Sequence, residues 1–333
     1  SKPLLLVWDD HESANNPWIG GAQNHQSPEE GPWRDRRNNA IQAYYEWMPV
    51  RDPQIDMDRK QFWRAYQFGD LATLVTLESR HTGRSQQINY ADHIDAIRSV
   101  EDARRFEKDI LEAPDRTMLS TDMEQFLDEA LSKSKESGTA WRLVGNAIPM
   151  AKTPTPDISA MGISMPDSEN VVPGTSADLV WKGKYNLPLY LDTWDGYPWA
   201  RQRLYDQCRG LGVQDLIVMT GDSHSFWANT LRDNEKHSMG VEIGTSGITS
   251  PGDFIEQGFD ADTASRIDQA LIDQAPDIVW TSNRYQGYVR LTVSREDLKA
   301  DYVAVSTVTE STWDVKTVKS KRITRTGNTV AFS

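Results

Sequence analysis

Residues 215–225 read DLIVMTGDSHS. The run 216–220 is short, mostly apolar and bounded by turn residues, which predicts a buried β-strand. Gly221 allows a tight turn after this strand, and Asp222 and His224 follow at a spacing of two. In α/β proteins the loops beyond the carboxyl ends of strands carry the chemistry. Asp222 and His224 are therefore candidate ligands, although an Asp and a His in a loop are most often solvated surface groups.

The beginning of the chain has the same arrangement. The sequence LLLVW at residues 4–8 predicts a second buried strand, and it runs into DDHE at 9–12, with Asn15 and Asn16 close behind. Carboxylate oxygens suit hard cations and imidazole suits transition ions, so a mixed set can hold two metals side by side. The alternative is an acidic helix cap formed by Asp10 or Asn16. Two strands that each deliver Asp and His favour a metal-assisted hydrolase.

Composition excludes several classes of protein. The 333 residues include 49 Asp and Glu against 36 Lys and Arg, without a basic stripe, so we expect no nucleic-acid partner. An anionic substrate would then be held by metals and local arginines. The longest apolar runs have the length of strands, which predicts no membrane span. The single cysteine, Cys208, excludes an internal disulfide and a cysteine-rich zinc site, and we expect it in the core.

Predicted helices and strands alternate along the chain. Residues 62–68 and 71–77 alternate like two strands joined by a turn at Gly69–Asp70, which predicts a hairpin. Thr121 begins the capping-box pattern TDME of a helix. The predicted helices span 35–47, 93–111, 121–135, 198–211 and 262–274. The other predicted strands span 141–149, 287–293, 301–308 and 315–324, with another beginning at 241.

Two long irregular segments and two arginines are further candidates for the site. Residues 13–34 and 153–188 are rich in Pro, Gly, Ser and polar residues, which is typical of loops that act as walls, lids or flaps. Arg80 and Arg84 follow the predicted hairpin and could face an anion, although exposed arginines are common on any surface.

Five ordered motifs resemble those of PhoD-type alkaline phosphatases, within the calcineurin-like metallophosphoesterases. The resemblance implies an α/β sandwich in which helices flank two mixed β-sheets, with antiparallel C-terminal strands and one catalytic domain over residues 1–333. It also implies a phosphoester hydrolase that uses iron together with calcium, a metal-activated hydroxide that attacks phosphorus, and a secreted or periplasmic location. The motifs are WDDHE at 8–12 with NN at 15–16, FGDL at 68–71 with Arg80 and Arg84, DTWDGY at 192–197, GDSHS at 221–225 and GTSG at 244–247.

Residue roles follow from the same resemblance. Asp222 matches an iron-type ligand, with His224 beside it. Asp10 takes the position where the wider superfamily has an asparagine ligand, and His11 that of the catalytic histidine, which protonates the leaving oxygen. The remaining candidates are the metal ligands Asp9 and Asn16 and the substrate-binding residues Arg80 and Arg84.

The chain departs from the family at one point. The upstream Gly-Asp-x-x-Tyr segment, which gives a bridging aspartate and a tyrosinate, has no counterpart here, so we expect it before Ser1 or in a separate chain, unless catalysis is lost. The expected partner is a small phosphate ester. Two alternatives are a phosphodiesterase or phospholipase D-type activity on the same scaffold, and a non-catalytic secreted binding protein whose binding surface is lined by some of the twelve tryptophans.

Overall fold

The computed structural model of the chain describes residues 3–53, 58–167 and 178–333. Its strands form a seven-stranded sheet in the order β1-β2-β3-β4-β6-β5-β7 and a four-stranded sheet in the order β11-β10-β9-β8. The strands are β1 Arg64–Phe68, β2 Ala72–Thr76, β3 Trp141–Gly145, β4 Leu216–Thr220, β5 Phe226–Arg232, β6 Ser238–Gly244, β7 Ile278–Ser282, β8 Gly287–Val293, β9 Asp297–Val305, β10 Val315–Thr326 and β11 Thr329–Phe332. The α-helices are α1 Ser27–Glu30, α2 Trp33–Trp47, α3 Val100–Phe106, α4 Thr121–Glu136, α5 Leu179–Lys184, α6 Pro198–Gly210, α7 Asp253–Glu256 and α8 Ala261–Gln274.

The centre of the larger sheet is parallel. Strands β2, β3, β4 and β6 pair in parallel, whereas β1, β5 and β7 are antiparallel to their neighbours. Thr76 pairs with Gly145, and Thr220 pairs with Gly244, so the parallel strands end at one edge of the sheet. The loops that follow β2, β3, β4 and β6 therefore begin beside one another.

Alternation along β4 places the sheet between two other layers. Ile217 faces the four-stranded sheet and packs in one core with Tyr302 and Ile323. Leu216 and Val218 face the opposite way and join a second core. This second core also contains Met123, Leu127 and Leu131 of α4 and Leu204, Tyr205 and Cys208 of α6. Two sheets flanked by helices confirm the predicted fold class, with Cys208 in the core as expected.

The prediction of a strand at residues 4–8 is wrong. No described strand pairs with this segment. The prediction failed because a strand needs a hydrogen-bonded neighbour, and the local sequence does not reveal one. The side chains of Leu4 and Leu5 are 60% and 38% exposed, and only Trp8 is fully buried, with its ring stacked on Phe62.

One helix start and one helix cap also differ from the prediction. The helix expected over residues 93–111 begins at Val100, because the Ser99 side chain accepts a hydrogen bond from the Asp102 N–H, and its last turn is π-helical over Glu107–Leu111. The cap of α4 is Ser120 rather than Thr121, since the Ser120 Oγ accepts the Met123 N–H at 3.2 Å.

Of the segment 153–188, residues 168–177 lie outside the described structure, so its role as a flap is untested. The described parts join the protein core through Ile158 and Leu179. Among the described residues, every helix is too short or too polar to cross a membrane.

Candidate metal centre

Three carboxylates converge at the carboxyl edge of the parallel sheet. Asp222 follows β4, and Asp9 and Asp10 follow the extended segment 4–8. Each offers one oxygen, and these oxygens lie within 4.8 Å of one another. The sequence analysis expected ligands from the stretches at 9–16 and 221–225, and the structure brings Asp9, Asp10 and Asp222 together, although the 4–8 segment is not a strand.

Arg80 lies in the middle of this acidic cluster and is fully buried. Its Nη2 lies 2.7 Å from Asp9 Oδ1 and 2.7 Å from Asp222 Oδ1. Its Nη1 makes longer contacts, at 3.5 Å to Asn16 Oδ1 and 3.9 Å to Asp192 Oδ2. With Asp10, four carboxylates surround one guanidinium, so the site carries surplus negative charge.

The surplus negative charge shifts the pKa values of both Asp222 and Arg80. Burial raises the pKa of Asp222, the Arg80 charge opposes this, and neighbouring Asp9 and Asp192 raise it further, so that it lies well above the ordinary carboxyl value. Burial alone would lower the pKa of Arg80, but Asp9 and Asp222 raise it well above its usual value. Oxygen donors with surplus negative charge are the set that a hard cation requires, so these residues fit a metal ion.

The backbone of the site is strained. Asn16, Asp222 and His224 have φ angles of 46°, 66° and 50°, in the left-handed region that non-glycine residues rarely adopt. This conformation lets the Asn16 N–H donate to Asp10 Oδ2 at 3.1 Å. Strained residues of this kind cluster at functional sites, where the surrounding structure holds them in place.

Glu78 organises the loop that carries Arg80. Its Oε1 accepts the backbone N–H groups of Arg80 and His81 at 2.8 and 2.7 Å, and its Oε2 accepts that of Thr82 at 2.8 Å. Burial by itself would raise the pKa of Glu78, but the hydrogen bonds that its carboxylate accepts from His81 and Thr82 lower it below the ordinary value. Glu78 therefore remains a carboxylate that fixes the direction of Arg80.

His81 connects this loop to the segment before Asp9. Its Nδ1 accepts the indole N–H of Trp8 at 2.7 Å, and its Nε2 lies 2.7 Å from Ser13 Oγ. An indole nitrogen can only donate, so the ring proton of neutral His81 is on Nε2. The buried ring thus holds residues on both sides of the Asp9–Asp10 pair.

His224 lies in a second group rather than with Asp222. Its ring and the carboxylates of Asp253 and Glu256 each offer a ligand atom, all within 4.8 Å of one another, and its buried Nδ1 has no hydrogen-bond partner. Burial raises the pKa of Asp253 to about 7, and Tyr190 donates a hydrogen bond to it. This second group could hold a cation with His224 as a ligand.

The other two candidates from the sequence, His11 and Arg84, differ in burial. The side chain of His11 is 78% exposed, and its Nε2 lies 3.7 Å from Asp10 Oδ2, at the rim of the acidic cluster. Arg84 is fully buried, and its Nε donates to the Tyr197 hydroxyl at 3.0 Å. Both terminal nitrogens of Arg84 lack a hydrogen-bond partner. Its role toward substrate stays a prediction.

Sequence reasoning missed four residues of the site. The available signal was that Asp192 is the first residue of the DTWDGY motif and that Glu78 lies two positions before Arg80. Asp253 and Glu256 lie on the short helix α7, and no local pattern marks them. A cavity of about 240 Å³ adjoins the acidic cluster, with Asn16, Asp192, Gln23 and Asn89 among its lining residues.

Comparison with known proteins identifies the family of the chain. A family model described as PhoD-like phosphatase matches residues 1–302. Alkaline phosphatase D of Bacillus subtilis (strain 168) is 31% identical over 321 residues, which cover 92% of this chain and 45% of that protein. A solved structure described as "Structure of PhoD" matches with a TM-score of 0.68 and 26% identity, over 98% of this chain and 54% of that one. The chain spans about half the length of these two proteins. It belongs to the PhoD-like phosphatase family.

Proposed function

We propose that this protein is a metal-dependent hydrolase of small phosphate esters, with residues 1–333 acting as one catalytic domain outside the cytoplasm. The observation that carries the proposal is the group of four carboxylates around the one buried guanidinium of Arg80. Such an excess of negative charge binds cations, and family membership adds the phosphoester chemistry. Iron together with calcium is the metal content that we expect.

Asp9, Asp10 and Asp222 are the residues that would hold a metal ion at the acidic cluster, with Asn16 beside them. A bound metal would supply Lewis acidity toward water and the phosphate oxygens. Arg80 orients the substrate, because Glu78 fixes its backbone while its Nη1 makes only long contacts and can donate to a phosphate oxygen.

His11 acts at the solvent side of the cluster. Its exposed imidazole lies at the rim, 3.7 Å from Asp10 Oδ2, so it can exchange protons with water and donate one to the leaving oxygen of an ester. The adjoining cavity, with the amide side chains of Gln23 and Asn89 in its wall, accommodates a small polar leaving group.

The first experiment is metal analysis of the purified protein together with hydrolysis of a chromogenic phosphomonoester and diester over a range of pH. We expect bound metal, alkaline turnover of at least one ester, and loss of turnover with a chelator that metal addition reverses. The ratio of the two rates ranks phosphatase against phosphodiesterase activity. Absence of both metal and turnover, also after incubation with iron and calcium, would contradict the proposal and favour a non-catalytic binding protein.

A further inference from the structure

A second, larger cavity lies beside the start of helix α2. Its volume is about 880 Å³. Its wall contains the starts of α2 and α4, the turn at Ile19–Gly20, the side chains of Lys60, Gln61 and Trp63, and His81 and Thr82 of the loop that carries Arg80. None of the acidic ligands contributes to it, and we call it the tryptophan cavity because Trp33 and Trp63 form part of its wall.

Two buried donors in this wall have no acceptor. The indole Nε1 of Trp33 and the Nε of Arg37 are shielded from water and have no hydrogen-bond partner, and Trp33 is only 5% exposed. Buried donors almost always find an acceptor in folded proteins. Both residues line the tryptophan cavity, so a ligand that moves aside the groups covering these two nitrogens can provide the missing acceptor.

The charge of Arg37 is only partly compensated, since Asp58 and Glu78 act on it without an ion pair. Its neighbours Arg34 and Arg36 each pair with a carboxylate, whereas Arg37 has no ion pair with any residue that the structure describes. Its Nη1 is held by the carbonyl oxygens of Ile19 and His81 at 3.3 and 3.4 Å, so the guanidinium is fixed in place. Burial lowers the pKa of Arg37, which an anion beside it would reverse.

The N-terminus of α2 adds positive potential to the same region. Pro32 precedes the helix, and no side chain caps its first turn. Uncapped helix starts bind anions through their free N–H groups and the helix dipole. Two carboxylates, Asp58 and Asp122, also line the cavity, and Asp58 is engaged by Lys60 at 3.1 Å.

We propose that the tryptophan cavity is a second binding site, for a phosphate group held by Arg37 and the Trp33 indole N–H. Gln61 favours phosphate over a plain carboxylate ligand, because its Oε1 is a buried acceptor without a donor and hydrogen phosphate carries an O–H. The site uses none of the metal ligands, so it stands whether or not the proposed hydrolase activity is found.

The test measures phosphate binding to protein that a chelator has stripped of metal, since the bare acidic cluster repels phosphate. Isothermal titration calorimetry with inorganic phosphate is expected to give one saturable site. Arg37→Gln removes a charge-assisted donor and should weaken binding about tenfold or more, and Trp33→Phe should weaken it about threefold to tenfold. Arg290→Gln is the matched control, because it removes an exposed arginine from the four-stranded sheet and should leave binding unchanged.

A second measurement keeps the proposal testable if Arg37→Gln does not fold. In protein labelled with ¹⁵N-tryptophan, the indole signal that disappears in Trp33→Phe should shift on addition of phosphate. The same titration with glycerol phosphate shows whether a free phosphate or an ester binds more tightly. The proposal is overturned if phosphate does not saturate a site, if the Trp33 signal does not move, or if Arg290→Gln weakens binding as much as Arg37→Gln.

Discussion

The two ends of strand β4 each carry an aspartate, Asp215 fully buried and Asp222 partly buried, in opposite electrostatic surroundings. At the amino end, Asp215 Oδ1 accepts the Arg142 Nε–H at 2.7 Å, and Arg142 and Arg325 both contact its Oδ2. At the carboxyl end, Asp222 shares the single guanidinium of Arg80 with other carboxylates. One aspartate therefore has two cations, whereas the other is one of several anions around one cation.

The pKa values move in opposite directions for this reason. Burial tends to raise the pKa of Asp215, but the hydrogen bonds and charges of Arg142 and Arg325 lower it below the ordinary value. The pKa of Asp222 is raised, because burial and its acidic neighbours outweigh Arg80. The neighbouring charges therefore give the two aspartates different roles: Asp215 stabilises the fold, whereas Asp222 is available to bind a cation.

The largest expected effect is on activity at the carboxyl end of β4. Asp222→Asn removes a metal ligand, and we expect turnover of the phosphate ester to fall by about 10³-fold, because a principal electrostatic group is lost. The fold should be retained, since the variant also relieves repulsion. Turnover and metal content are measured together, with Asp206→Asn, an exposed carboxylate on α6, as the control. Wild-type turnover and metal content in Asp222→Asn would contradict the assignment.

The next effect is on stability at the amino end. Asp215→Asn leaves Arg142 and Arg325 without their buried counter-charge, and we expect the free energy of unfolding to fall by about 3–5 kcal/mol. Denaturant unfolding measures this loss. Turnover per folded molecule should match the wild type. A large loss of turnover in the folded protein would show that the two ends of β4 are not separable.

A smaller effect on turnover is expected from Glu78, which contacts the loop that carries Arg80 rather than the acidic cluster itself. Glu78→Gln keeps the shape of the side chain but replaces one acceptor oxygen with an NH₂ group, which cannot accept the N–H groups that hold the loop. We expect a tenfold to hundredfold loss of turnover, the usual range for residues that orient a ligand. The KM should rise with the loss, because Arg80 no longer points correctly at substrate. An unchanged KM and turnover would assign Glu78 to stability alone.

The smallest effect is the contribution of Asp215 to the pH dependence of stability. Its pKa is lower in the folded state than in the unfolded chain, so its stabilisation is present above about pH 4 and is lost as the pH falls through the folded pKa. Each unit of difference corresponds to about 1.4 kcal/mol. Unfolding free energies at falling pH should therefore decline more steeply for the wild type than for Asp215→Asn. Parallel pH profiles of the two proteins would contradict this origin.

The sequence predicted the parts of the fold that local patterns specify. The apolar run of β4 and the glycine after it located Asp222 correctly, because strand burial and the turn are encoded within a few residues. The run at 4–8 is equally apolar, yet it forms no strand, because pairing depends on a distant neighbour. The pattern of apolar residues within a short segment carries no information about that neighbour.

The interior of the site was less predictable for the same reason. The contact between Arg80 and Asp222 joins residues 142 positions apart. The depth of Arg84 and the separation of His224 from Asp222 depend on how the loops after several strands pack together. Sequence motifs named these side chains, but only the fold distinguishes a buried arginine beside Tyr197 from one among carboxylates.

The left-handed residues Asn16, Asp222 and His224 have a consequence for protein engineering. Each such conformation costs about 1–3 kcal/mol, and glycine would relieve it. A search for heat-resistant variants would thus be drawn to glycine at these positions, where gains in melting temperature would come with a loss of side chains that the chemistry needs. For this protein, thermostability screens should therefore also score turnover.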